Sequence, residues 1–213
     1  MKKIILAAIV LAQTTLTFAQ NTWEMTEKEK RELMEVKVTL NPKYAVGAVP
    51  VVDGTVVFEQ TFNAPGKSEK QIYDLVKGKL SEWIMEPNQI TFENNARISN
   101  IVYDKPEEGT IAARFYEYLV FKRAALVLDR TEFDFTLTVM CKDGKATVRM
   151  NRMRYVYEKD RPGGINEPAE NIITDENALN KKKDKLNRMF GKFRKKTIDR
   201  KDYIFNEIEK LLK

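Results

Sequence analysis

Residues 133–157 read FDFTLTVMCKDGKATVRMNRMRYVY, and the fold follows from this stretch. Phe133, Phe135, Leu137 and Val139 alternate with Asp134, Thr136 and Thr138, the period of two that marks a strand with one wet face. Asp143-Gly144 predicts a type I′ turn, and Ala146 to Tyr157 follow as the partner strand. A strand pair of this kind has an apolar face that must be covered by another layer.

The upstream sequence supplies that layer. Ile98 to Tyr103 and Thr110 to Phe121 read as two more strands, joined by the short loop Lys105-Pro-Glu-Glu-Gly109. Val56, Phe58, Gln60 and Phe62 share one face of an earlier strand that Pro65-Gly66 ends. Ser68 and Gln71 have the spacing of a capping box. Ile72, Leu75, Val76, Lys79, Leu80, Trp83 and Ile84 then recur at three-four spacing until Pro87, which predicts a long amphipathic helix. Leu75, Leu80, Trp83, Phe135 and Leu137 are expected in one core. The order β-α-β-β-β-β predicts an α+β fold: an antiparallel β-sheet, one long packed helix and a C-terminal helical extension.

The expected organisation places a signal peptide at 1–19, a lead segment at 20–53, the core at 54–158, a loop at 159–174 and a basic helical region at 175–213. Lys2 and Lys3, the apolar run Ile4 to Ala12 and the small residues Thr17 and Ala19 follow the order of a cleaved secretory signal, so the product is expected to be periplasmic or secreted. That run is too short to span about 30 Å of hydrocarbon, and no later stretch reaches about 20 apolar residues, so no transmembrane segment is expected. Thr26 and Glu29 suggest a short helix in the lead. Pro42, Gly47 and Pro50 interrupt regular structure up to the Asp53-Gly54 turn. Pro162-Gly163-Gly164 marks the loop after the meander. Thr174 can cap a helical region whose stripe runs through Leu179, Leu186, Phe190, Phe193, Thr197, Ile204, Ile208 and Leu211. As one helix this would reach about 58 Å at 1.5 Å per residue, longer than a small sheet, so a break near Gly191 to Thr197 or a free end is expected.

Histidine is absent, which removes the usual triads and the commonest metal ligand. Cys141 is the only cysteine, so there is no disulfide, no cysteine near the cleavage site for a lipid, and no Cys-rich zinc site. No cofactor is expected. Glu132 and Asp134 share a strand face and could serve as an acid/base pair, though a wet face explains them more simply. Cys141 beside Lys142 could be activated, but without a histidine partner a packed or idle thiol is the expectation. Gly163-Gly164 lacks the Lys-Ser/Thr of a phosphate loop. Arg149, Arg152 and Arg154 lie near Tyr155 and Tyr157, a composition found where bases stack. Strict alternation puts Arg152 and Arg154 on one face and Arg149, Tyr155 and Tyr157 on the other, so the group is split, and export argues against nucleic acid as a partner.

Charge is concentrated late in the chain. From Lys181 to Lys201 there are eleven Lys and Arg against Asp184 and Asp199, a net +9, while the whole chain carries a formal +6. Lys181, Lys182, Lys183, Lys185, Arg188, Lys192, Arg194, Lys195 and Lys196 are therefore the candidate anion-binding residues, with an anionic envelope surface or an acidic protein as partner. A helix docked by its apolar stripe, with the lysine stems lying along the surface, is the plainer expectation.

Several short motifs carry a resemblance: Ala48-Val-Pro-Val-Val-Asp-Gly54, Val57-Phe58, Ile72-Tyr73-Asp74, Trp83, Ile111-Ala112, Leu128-Asp129-Arg130-Thr131, Val139-Met-Cys-Lys142 and Arg154-Tyr155-Val-Tyr157. It extends through Ile173-Thr-Asp175, Ala178-Leu-Asn180 and the Lys-rich tail. In these the chain resembles the exported domain-of-unknown-function family numbered four-four-six-eight, from Gram-negative bacteria. That resemblance implies a fold like the TATA-box-binding protein and an exported location. It implies no activity and offers no catalytic residues, and DNA binding does not follow from the shape. The expected function is a non-enzymatic binding or interaction module of the cell envelope, the alternative a carboxylate-based envelope hydrolase or transferase.

Overall fold

The computed structural model describes residues 40–213 except 88, 91–97 and 125–126. The signal-peptide segment and the helix after Thr26 lie outside the described residues. Two short strands, β1 (Val51–Val52) and β2 (Thr55–Val56), pair around Asp53-Gly54. Both turn residues have positive φ, 49° and 76°, as a type I′ turn requires. The main sheet contains β3 (Phe58–Asn63), β4 (Asn100–Lys105), β5 (Thr110–Ala124), β6 (Val127–Lys142), β7 (Lys145–Tyr157) and β8 (Ile165–Pro168). Its order is β3-β7-β6-β5-β4, antiparallel throughout, with β8 pairing the end of β7 that β3 leaves free. The helices are α1 (Glu69–Ile84), the single turn α2 (Asp175–Ala178) and α3 (Gly191–Leu212). The α+β class, the meander and α1 are as the sequence predicts. Among the described residues no helix is long and apolar enough to cross a membrane.

Both long helices cover one face of the sheet. The Ser68 hydroxyl accepts the Gln71 amide while the Gln71 side chain accepts the Ser68 amide, so the capping box forms. Ile72, Tyr73, Val76, Leu80 and Trp83 are buried against Phe115, Phe133, Phe135, Leu137 and Val139. Leu75 is 36% exposed and does not join this core. It sits off the arc through Ile72, Val76, Leu80 and Trp83, because α3 and the sheet cover only the side that those residues share. From α3, Phe205 meets Phe62 edge-on at 6.0 Å, and Phe193 packs across Tyr155 at 5.3 Å.

Further expectations are revised. The Asp143-Gly144 turn is not type I′, since only Gly144 has positive φ, 74°. Its shape serves the helix: Asp143 Oδ1 accepts the Glu69 amide at 2.7 Å, and Gly144 N–H donates to the Lys67 carbonyl at 3.0 Å. The segment 159–174 is not only loop, because it carries β8 and buries Ala169, Ile172 and Ile173. Arg149 and Arg154 share the outer face instead of being split, for Arg152 is an extra residue at φ 52° between the pairs Thr136↔Asn151 and Asp134↔Arg154. The bulge turns both Met150 and Met153 inward and inverts the alternation beyond it.

Another revision concerns the C-terminal region. Helix is interrupted between 179 and 190, before the expected site, and α3 is docked along its length. Asn180 Oδ1 accepts the amides of Asp184 and Lys185, and Asn187 Oδ1 accepts those of Met189 and Phe190. These local bonds offer the backbone an alternative to a continuous helix. Packing also begins earlier than Asp53, since Tyr44 and Val49 are core residues.

Candidate functional site

The segment from Asn180 to Asn187 is an ordered knuckle between α2 and α3. Leu179 and Leu186 form a bridge, the Asn180 amide donates to the Lys185 carbonyl at 2.9 Å, and the Asn187 amide donates to the Ala178 carbonyl at 2.8 Å. Lys183 takes a left-handed conformation, φ 55°, at the turn. The lysines therefore project from a backbone fixed by its own asparagines.

The nine candidate cations divide sharply. Lys181, Lys182, Lys183, Lys185 and Arg188 are exposed on or beside the knuckle. Lys183 pairs with Glu176 at 2.9 Å, a hydrogen bond that holds the Glu176 carboxyl below its ordinary range. Lys181, Lys182, Lys185 and Arg188 engage no carboxylate among the described residues.

The α3 cations are committed to the fold. Lys192 reaches Asp129 at 2.9 Å and the Tyr157 hydroxyl at 3.0 Å, with its ammonium 4.2 Å from the Tyr157 ring centre and 4.5 Å from that of Phe121. Burial would depress its pKa, but bonds to Tyr157 and Asp129 leave it raised. Arg194 is wholly buried: its Nε donates to the Tyr44 carbonyl at 2.9 Å, Nη1 to that of Ile173 at 2.8 Å, and Nη2 reaches Asp175 at 2.7 Å. Lys195 pairs with Asp199 at 2.7 Å, and Lys196 lies half-buried on the same helix. Lys192, Arg194 and Lys195 are thus corrected from surface candidates to structural cations, because the stripe that docks α3 brings them against the sheet and the segment before β1.

The remaining candidates do not assemble into a reaction centre. Asp134 is ion-paired with Arg114 at 3.0 Å, and Glu132 accepts from Lys159 at 3.4 Å. The cavity that both line with Tyr116 and Arg154 has a volume of about 10 Å³. That is room for about one water, not a substrate. Two further carboxylates do converge, Glu86 and Glu117, but on Arg200 in the interior: Arg200 lies 2.8 Å from Glu117, both fully buried, and 3.4 Å from Glu86. Cys141 is buried, and burial, with Glu69 adding to it, pushes its thiol up to about 12. It should resist maleimide at pH 8 in the folded protein and react once denaturant is added; rapid labelling without denaturant would contradict this packing.

Comparison with known proteins agrees with this architecture. A family model described as a domain of unknown function, DUF4468, with TBP-like fold matches residues 58–156. The crystal structure of a DUF4468 family protein from Bacteroides ovatus is similar at 39% identity and a TM-score of 0.69, over 80% of this chain and 93% of that one. A TBP-like protein from Parabacteroides distasonis shares the fold at 17% identity and a TM-score of 0.59, over 77% of this chain and 96% of that one. No curated protein matches.

Proposed function

The chain belongs to the DUF4468 family, a domain of unknown function with a TBP-like fold, and we propose that it is a non-catalytic binding module of the cell envelope that holds an anionic partner through the Lys-rich knuckle. The observation that carries this reading is the contrast within one basic segment. The α3 cations are consumed by internal partners, whereas Lys181, Lys182, Lys185 and Arg188 stand exposed, without a carboxylate among the described residues, on a backbone that is already ordered. An ordered cation cluster pays little additional entropy when an anion binds.

Export rests on the order Lys2-Lys3, Ile4 to Ala12 and Ala19. The intact mass of protein recovered from its native host should correspond to a chain beginning at or near Gln20. A chain retaining Lys2 would remove the envelope from the proposal.

The binding test titrates the purified protein with inorganic polyphosphate at low and high salt, beside a variant carrying Lys181→Gln, Lys182→Gln, Lys185→Gln and Arg188→Gln. Wild type should bind at low salt and weaken as the screening length falls from about 10 Å at 0.1 M to about 3 Å at 1 M. The variant should bind at least about tenfold more weakly while its unfolding midpoint stays unchanged, because exposed charges without partners contribute little to stability. Equal affinity of the two proteins would defeat the proposal.

A further inference from the structure

Exposed apolar side chains lie on the segment that is tied, like the knuckle, to α2. Val46, Val51 and Val52 are 57%, 49% and 54% exposed, unusual for valines that lie on ordered backbone at the tight β1-β2 hairpin and just before it. Hydrogen bonds fix this patch beside α2. The amide of Gly47 donates to Asp175 Oδ2 at 2.8 Å, and the amide of Val56 donates to Glu170 Oε1 at 2.7 Å, just before α2. The knuckle is fastened to the other end of the same single turn through the Asn187 amide and the Ala178 carbonyl. The two attachment points on α2, Asp175 and Ala178, are less than one helical turn apart, about 5 Å of rise, which ties the valine segment and the knuckle to the same short element.

We propose that the three valines and the knuckle form one membrane-docking surface, and that the anionic partner is a bilayer containing anionic phospholipid. This rests on the anion-binding reading above and adds its chemical class. The charge of the patch selects the occupant: Lys181, Lys182, Lys185 and Arg188, exposed and without a carboxylate partner among the described residues, complement lipid phosphates, while the exposed valines enter the headgroup and acyl boundary. A soluble polyanion would engage the lysines and leave the valines in water. The hairpin turns in two residues, Asp53 and Gly54, a small tip that suits shallow insertion at a headgroup layer. Asp53 at that turn and the exposed Asp184 within the knuckle oppose the arrangement electrostatically, and Glu176 beside the knuckle is neutralised by Lys183.

The test places an environment-sensitive dye on a Val51→Cys variant, which is selective because Cys141 is buried. Vesicles of phosphatidylglycerol and phosphatidylcholine should shift the dye emission to the blue at low salt. Phosphatidylcholine vesicles and inorganic polyphosphate should not. A Val51→Ser, Val52→Ser double variant should keep its polyphosphate affinity and lose vesicle binding by about tenfold or more, the expected weight of two small apolar side chains at an interface. Asp53→Asn, which suits the left-handed turn, should tighten vesicle binding.

Polyphosphate binding without vesicle binding would overturn the membrane surface and leave the anion-binding reading standing. Failure with both probes would overturn both. Vesicle binding without a dye shift, or unchanged in the serine variant, would show that the valines do not insert. A dye shift that grows with protein concentration in the absence of lipid, accompanied by a dimer in sedimentation velocity, would assign the patch to a second copy of the chain and end the proposal.

Discussion

Arg200→Met should lower the unfolding free energy by about 3–5 kcal/mol, the cost of leaving a buried charge without its partner. Glu117 is fully buried on the helix-covered face of β5, and Arg200 reaches it with Nε at 2.9 Å and Nη2 at 2.8 Å. With the guanidinium gone, the buried carboxylate loses its counter-charge, which the neutral Gln89 amide that donates to it at 3.2 Å does not replace. Glu86, whose carboxyl is raised by burial and held down in part by Arg200, would lose the same cation. A second substitution separates charge from packing. Glu117→Leu added to Arg200→Met should recover most of the loss, because a buried ion pair replaced whole by apolar side chains is often neutral or better. Urea midpoints at constant slope measure both effects. A single variant within about 1 kcal/mol of wild type, or a double variant no more stable than the single, would refute the account.

Arg194→Met should cost a similar amount, about 3–5 kcal/mol, through a different part of the molecule. From α3 the guanidinium joins two pieces of chain that are distant in sequence: the carbonyls of Tyr44 and Ala45, and the segment that carries the Ile173 carbonyl and Asp175 at the start of α2. The Tyr44 hydroxyl adds a bond to Asp199 at 2.5 Å. Removal deprives these buried carbonyl groups of the guanidinium and weakens the attachment of the segment ahead of β1 to α3, leaving Lys43 and Tyr44 on Asp199. Hydrogen exchange should therefore accelerate at the Tyr44 and Gly47 amides, and trypsin should cut after Lys43 sooner than in wild type. Arg194→Lys should rescue little, since one ammonium cannot span partners arranged for a planar fork. Unchanged exchange at Gly47 would show that this segment is held by other contacts.

Several features of the fold were legible in the sequence because they depend on local order. The alternation of Phe133, Phe135, Leu137 and Val139 gave β6, and Ser68 with Gln71 gave the start of α1, since each signal needs only neighbouring residues. The reading of β7 failed beyond Asn151 because a strand pattern presumes an unbroken ladder, and one left-handed residue, Arg152, shifts the phase. In the C-terminal region, the hydrogen-bonding side chains of Asn180 and Asn187 marked the break more clearly than the stripe did. Composition overstated the candidate site: nine cations were proposed, but Lys192, Arg194 and Lys195 belong to the fold. A signal for the buried arginines was present. Arg200 falls three residues after Thr197 and four before Ile204, inside the stripe that docks α3, and a charge at such a position requires an interior counter-charge. Which carboxylate supplies it is a long-range fact that periodicity does not contain.

Strand β7 is shared between the two ends of the chain: residues Phe58 to Asn63 pair with its first half, and Ile165 to Pro168 with its second. The order of synthesis is thereby opposed to the order of pairing. A chain made from its N-terminus displays β3, with the apolar Phe58 and Phe62, long before Lys145 to Met150 exist to receive it. Strands β5, β6 and β7 pair with their neighbours in sequence, whereas β3 must wait for a loop of some eighty residues to close, a slow entropic step. Until then its edge is open to any other extended chain. The interval between making the first strand of the sheet and seating it is where a nascent chain of this protein is most exposed to mispairing.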